Sequence, residues 1–140
     1  MSTPANPAVR ARGGCLCEGV RYEVRGPLRD VIACHCSQCR KTSGHFVTAT
    51  QVCTADLVLT ESATLRWYRS SAAAERGFCN RCGGNLFWRP SGAEQGVTSI
   101  MAGTLDSPTG LKIARHIFVA DKSDNYDIPD GAQHPGGWPA

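Results

Sequence analysis

Hydrophobic residues in this chain recur with period two, in short runs. Val20, Tyr22 and Val24 alternate with polar neighbours, as in a strand with one buried face. Val31-Ile32-Ala33 is continuously apolar and leads straight into a group of cysteines. Phe46 to Val52, Leu57-Val58-Leu59, Leu65 to Tyr68, Leu86-Phe87-Trp88, Val97 to Met101 and Ile113 to Val119 continue the series of β-rich segments. Fifteen glycines and eight prolines punctuate it. No convincing amphipathic helix is present. Ser71 to Arg76 has helical propensity but is short, and reads as a join between two strands. The piece after Cys36 has room for a single turn. The pattern predicts a mainly β protein.

At 140 residues the chain is long enough for one hydrophobic core and too short for two. Residues 1–11 read as a flexible lead-in, 12–130 as the folded domain and the Gly/Pro-rich 131–140 as an irregular tail. The first twelve residues are rich in Pro, Ala and Arg and have no apolar core, so a secretory signal is not expected. No run approaches the ~18 apolar residues of a membrane span.

Cysteine changes the picture most. Seven of eight cysteines fall in three tight groups: Cys15-Leu16-Cys17, Cys34-His35-Cys36-Ser37-Gln38-Cys39 and Cys79-Asn80-Arg81-Cys82. Pairs at C-x-C and C-x-x-C spacing are too close for ordinary framework disulfides. With no export signal, the better reading is bound metal in a reducing cytoplasm. In a strand, residues i and i+2 share a face about 6.6 Å apart along the chain, so Cys15 and Cys17 can turn toward one ion. Cys79-x-x-Cys82 followed by Gly83-Gly84 is similar to a zinc knuckle, whose turn glycine tolerates. Cys17 and Cys79 are 62 positions apart, so a four-thiolate site made of these pairs would clamp distant parts of the chain. Cys34, Cys36 and Cys39 form a second group with no obvious local fourth ligand. Four thiolates make a closed structural zinc site, whereas three leave a position open. The competing reading completes the second site with Cys53 or His45. His35 points away from Cys34 and Cys36 if the segment is extended, which suits packing behind the metal better than ligation. His116, in an apolar strand, reads as a core histidine. Cys53, standing alone, reads as a small buried hydrophobe.

Metal also changes the charge. Adding seven negative thiolates and two divalent cations to the formal +3 gives zero. The basic balance is therefore no argument for nucleic acid. The sequence leaves the oligomeric state open.

The order of motifs resembles the glutathione-dependent formaldehyde-activating family, which includes centromere-protein-V-like proteins. The likeness runs from about Gly13 to Asp130. It rests on Gly13-Gly14-Cys15-Leu16-Cys17, Val20-Arg21-Tyr22, the Cys34 to Lys41 segment, Phe78 to Gly83, Gly103-Thr104-Leu105-Asp106, and His116-Ile117-Phe118-Val119 with Asp121-Lys122. The resemblance implies an Mss4-like, or β-tent, fold of zinc-bound antiparallel sheets. It implies a structural zinc on Cys15, Cys17, Cys79 and Cys82, and a catalytic-type zinc on Cys34, Cys36 and Cys39. The implied activity is carbon–sulfur lyase chemistry on S-hydroxymethylglutathione, formed from glutathione and formaldehyde. Three positions depart from the family's habit. Glu18 stands where glycine is usual, Gly84 where a small hydroxyl residue is usual, and Asn125-Tyr126 where a tryptophan is common.

Glutathione is anionic, so Arg40, Lys41 and Arg81, each beside a metal ligand in sequence, are candidates to neutralise its carboxylates. The alternative for them is surface charge or pairing with the anionic zinc–thiolate groups. His35 and His45 are candidate general acids or bases by proximity. Three rival readings remain: a non-catalytic zinc-stabilised binding or scaffold module, a relative of methionine sulfoxide reductases using Cys53, and an iron–sulfur protein.

Overall fold

A computed structural model describes residues 8–91, 96–129 and 131–137. Eleven strands are present among them: β1 (Ala11–Gly14), β2 (Arg21–Val24), β3 (Val31–Cys34), β4 (Val47–Cys53), β5 (Leu57–Glu61), β6 (Leu65–Arg69), β7 (Ala74–Cys79), β8 (Asn85–Pro90), β9 (Val97–Met101), β10 (Ile113–Ile117) and β11 (Ala132–Gln133). Among the described residues a single α-helix, α1 (Ser37–Ser43), interrupts the series after β3, where sequence allowed only a turn.

The strands form two sheets. A small one has the order β1-β2-β5; a large one runs β11-β10-β3-β4-β9-β8-β7-β6. Most pairings are antiparallel, but β10 lies parallel to both β3 and β11. β3 therefore sits inside the large sheet between β10 and β4, which is why Val31, Ile32 and Ala33 are all buried.

Alternation sorts the large sheet into two faces. Val20, Tyr22 and Val24 from the small-sheet side pack with Val52, Leu86, Phe87 and Ile100 from the large one, making the core between them. Tyr22 meets Phe87 edge to face, with ring centroids 5.4 Å apart. Other residues of the large sheet, Ala49, Gln51, Ser99, Met101 and Arg76, point to the other face and line a cavity.

Strand pairing reaches into both of the segments expected to be terminal. Arg10 N–H already donates to Val24 O at 2.7 Å, and Ala11 pairs with Val24. In the expected tail, Ala132 and Gln133 add β11 to the sheet edge. The expectations for residues 1–7, 130 and 138–140 lie outside the described residues. Ser71 to Arg76 was expected only to join strands; Ser71 to Ala73 do so, but Ala74 to Arg76 are the first three residues of β7, a strand the alternation did not reveal. Among the described residues, no helix is long and apolar enough to cross a membrane.

Candidate active site

Two turns build the first cysteine group. Cys15 to Val20 connect β1 to β2, and Asn80 to Gly84 connect β7 to β8. Cys15 and Cys17 were expected on one extended strand; instead a tight turn brings their sulfurs together. Glu18 N–H donates to Cys15 O at 3.2 Å, leaving Leu16 91% exposed at the tip. The second turn closes through Gly83 N–H to Cys79 O at 2.8 Å, with Gly83 at φ 77°. Such backbone suits glycine.

The four sulfurs all lie within 4.8 Å of one another. Cys15 to Cys17 is 3.7 Å and Cys17 to Cys79 is 3.6 Å. Those separations are too long for disulfides, whose sulfurs sit about 2.0 Å apart. They match the ~3.8 Å edge of a tetrahedron with ~2.3 Å zinc–sulfur bonds. Backbone N–H groups already face the sulfurs: Val20 to Cys15 at 3.4 Å, Arg81 and Cys82 to Cys79 at 3.3 and 3.4 Å. Hydrogen bonding with the Thr64 hydroxyl, then from these amides, brings Cys79 down to about 5. Arg81 Nε donates to Cys17 Sγ at 3.2 Å. Arg81 thus sits beside this cluster as a charge partner, away from the second cysteine group.

The second group spans the β3–α1 junction. Cys34 ends β3, and Cys36 caps α1, its sulfur accepting from Cys39 N–H at 3.4 Å. A cap and the third residue of its helix lie one turn apart, so Cys36 and Cys39 converge. Gly44, at φ 81°, ends the helix by donating to Arg40 O. The sulfurs of Cys34, Cys36 and Cys39 lie within 4.8 Å of one another. Among the described residues no fourth Cys, His, Asp or Glu joins them. Hydrogen bonds from the Cys34 and Cys39 thiols pull Cys36 down to about 2, while bonding to Cys36 and Cys39 pushes Cys34 up. Cys39 is raised as well, so the charge of the three settles on Cys36, and a soft divalent ion such as zinc would complete the group.

These three cysteines open onto a cavity of about 830 Å³ on the face of the large sheet away from the core. Its two cations are Arg29 and Arg76, and among the described residues no carboxylate lines it. Arg40 and Lys41 are not among its lining residues: Lys41 is exposed, and Arg40 is half-buried with Nε lacking a hydrogen-bond partner. Sequence reasoning missed Arg29 and Arg76 because neither touches a motif. The available signal was alternation, which places Arg76 on the same face of β7 as Ala74 and opposite Glu75.

His35 points away from this cavity. It is fully buried, stacked on Phe46 at 4.6 Å between ring centroids, with Nε2 3.0 Å from His116 Nδ1 and Nδ1 bonded to the Tyr126 hydroxyl. Burial first, then the fields of His116, Lys122 and His45, hold it at about 4, so it is neutral at pH 7. His45 packs on Phe46 and Tyr126. Neither histidine lines the large cavity. Cys53, expected to be buried, is exposed at the end of β4, because β4 finishes there and the chain turns.

A family model described as glutathione-dependent formaldehyde-activating enzyme matches residues 10–121. An uncharacterized lyase of Schizosaccharomyces pombe is 28% identical over 117 residues, covering 83% of each chain. A Rhodobacter sphaeroides protein of known crystal structure superposes with a TM-score of 0.56 at 25% identity, over 69% of this chain and 88% of its own. With a match over most of its length, this mainly β chain belongs to the glutathione-dependent formaldehyde-activating enzyme family.

Proposed function

We propose that the protein is a carbon–sulfur lyase that makes and breaks adducts of a thiol with a carbonyl. Glutathione is the thiol and S-hydroxymethylglutathione the adduct that the family description suggests. The lyase relative supports the reaction class. The observation that carries the reading is three converging sulfurs on the wall of a large cavity, with no fourth protein donor gathered to them among the described residues.

Bound by Cys34, Cys36 and Cys39, zinc would supply an open coordination position at which a thiol loses its proton. The rest belongs to this chain's residues. Ile32, Val47 and Met101 give the cavity apolar walls, beside which charged contacts act more strongly than in open solvent. Arg29 takes a glutathione carboxylate. Its guanidinium is half-buried and held by donation to the Asp30 and Ala49 carbonyls at 3.1 Å. Burial, then the charge of Arg115, pulls it below its usual value, so an anion there is favourable. Arg40 and Lys41 stay outside this role. In the forward reaction the sulfur bonds to the carbonyl carbon, the π pair moves to oxygen, and the thiol proton ends on that oxygen. The reverse breaks the same carbon–sulfur bond. Eight unpaired thiols fit a reducing compartment such as the cytoplasm.

Purified, zinc-loaded protein is expected to form S-hydroxymethylglutathione faster than buffer alone, and Cys36→Ser to return the rate to that of buffer. An unaccelerated parent rate removes the reading. It leaves the same fold as a zinc-stabilised binding module.

A further inference from the structure

Arg76 is a buried cation with no carboxylate beside it among the described residues. It projects from β7 into the cavity and is only 8% exposed. Its neighbour Glu75 is taken by Arg89 at 3.2 Å. Arg76 Nη2 makes two long contacts, 3.4 Å to Gln38 Oε1 and 3.8 Å to Cys39 Sγ, and Nε has no partner. Burying a guanidinium without full pairing is costly, so this charge is kept for something that enters the cavity.

Resting on the lyase reading, we propose that Arg76 is the oxyanion-binding group of the reaction. Its place beside the three sulfurs decides between two kinds of anion. A guanidinium 3.8 Å from Cys39 Sγ reaches one bond past a carbon attached to a thiol held at the cluster. The carboxylates of glutathione lie several bonds further from its sulfur. As the carbon–sulfur bond forms, the carbonyl π pair becomes an alkoxide lone pair. Arg76 N–H groups hold that alkoxide until water delivers its proton. In reverse, water removes the hydroxyl proton, the carbonyl re-forms and the thiolate departs. Donors fixed where charge develops act more strongly on the transition state than on the bound thiol.

The test is Arg76→Gln in the metal-loaded full chain. The expected result is a kcat lower by roughly 100- to 1,000-fold. KM for glutathione should stay within about threefold, because ground-state binding is spared. Glutathione affinity, read by quenching of the cavity's Trp88, should likewise hold, as should metal content. A raised KM and weakened glutathione binding at normal kcat would make Arg76 a carboxylate anchor and overturn the proposal. Loss of one metal ion would make it a charge partner of the cluster and overturn the proposal equally. Should the glutamine variant not fold, Arg76→Lys keeps the charge but loses the fork; its kcat should fall at least about tenfold, and an unchanged kcat overturns the idea. An inactive parent protein defeats the lyase reading and this inference together. An active parent with a fully active Arg76→Gln defeats this inference alone.

Discussion

Glu18 carries a backbone cost that the family's usual glycine avoids. Its φ is 63°, in the left-handed region where a side chain costs roughly 1–2 kcal/mol. The turn needs that conformation, because Cys15 and Cys17 must face one point. Its ion pair with Arg21 is 4.0 Å long and its carboxylate is largely exposed, so it offsets little. Glu18→Gly is expected to raise stability by about 0.5–1 kcal/mol, the glycine's entropy loss taking part of the gain. Chemical denaturation of the metal-loaded protein measures it, and an unchanged or lower midpoint contradicts it. Gly84 differs: a Cβ there meets Cys15 Cβ at 3.4 Å and Cys82 Sγ at 3.5 Å, ordinary contacts that admit the family's small hydroxyl residue.

The β1–β2 hairpin shows how separate motifs become one element. Tyr22 of β2 bonds Thr104 at 2.7 Å, and Arg21 pairs with Asp106 at 2.9 Å, so two stretches of the family pattern over 80 positions apart touch directly. Gly13 of β1 lies beneath them, bridged to Leu105. A Cβ on Gly13 would sit 2.3 Å from both Thr104 O and Tyr22 Oη. One of these is backbone and cannot swing aside. Gly13→Ala should therefore cost about 1–3 kcal/mol, seen as a lower melting temperature. A neutral substitution would show that the hairpin and the Ala102–Thr104 turn are free to separate.

Across the whole molecule the two cysteine groups do different mechanical work. The first joins the small sheet's hairpin to the β7–β8 turn of the large sheet, tying together Cys17 and Cys79 across 62 positions of chain. The second lies within one short segment and closes no long loop. Structural zinc contributes about 10–16 kcal/mol in small peptides, comparable with the roughly 5–15 kcal/mol that holds a whole domain folded. Cys82→Ser should thus lose one ion together with cooperative unfolding. Cys36→Ser should lose one ion and keep native near-UV circular dichroism. Metal analysis with circular dichroism on both variants decides it. Equal unfolding of both would mean the second group also holds the fold together.

Period-two alternation and cysteine spacing were sufficient, by themselves, to determine a β protein with sulfurs grouped four and three, because local geometry dictates both. Most strands from Val20 to Ile117 were legible for that reason, β7 (Ala74–Cys79) being the exception because its alternation carries Arg, Glu and Gly, and so was the opposed direction of His35, which period two predicts for an extended segment. What tertiary structure decided depends on residues far apart in sequence. The turn around Cys15, the helix after Cys36 and the exposure of Cys53 follow from how the chain is pinned on both sides. Arg29 and Arg76 touch no cysteine motif. They became the cations of the cavity, in place of Arg40 and Lys41, only because β3, β4, β9 and β7 share one sheet face.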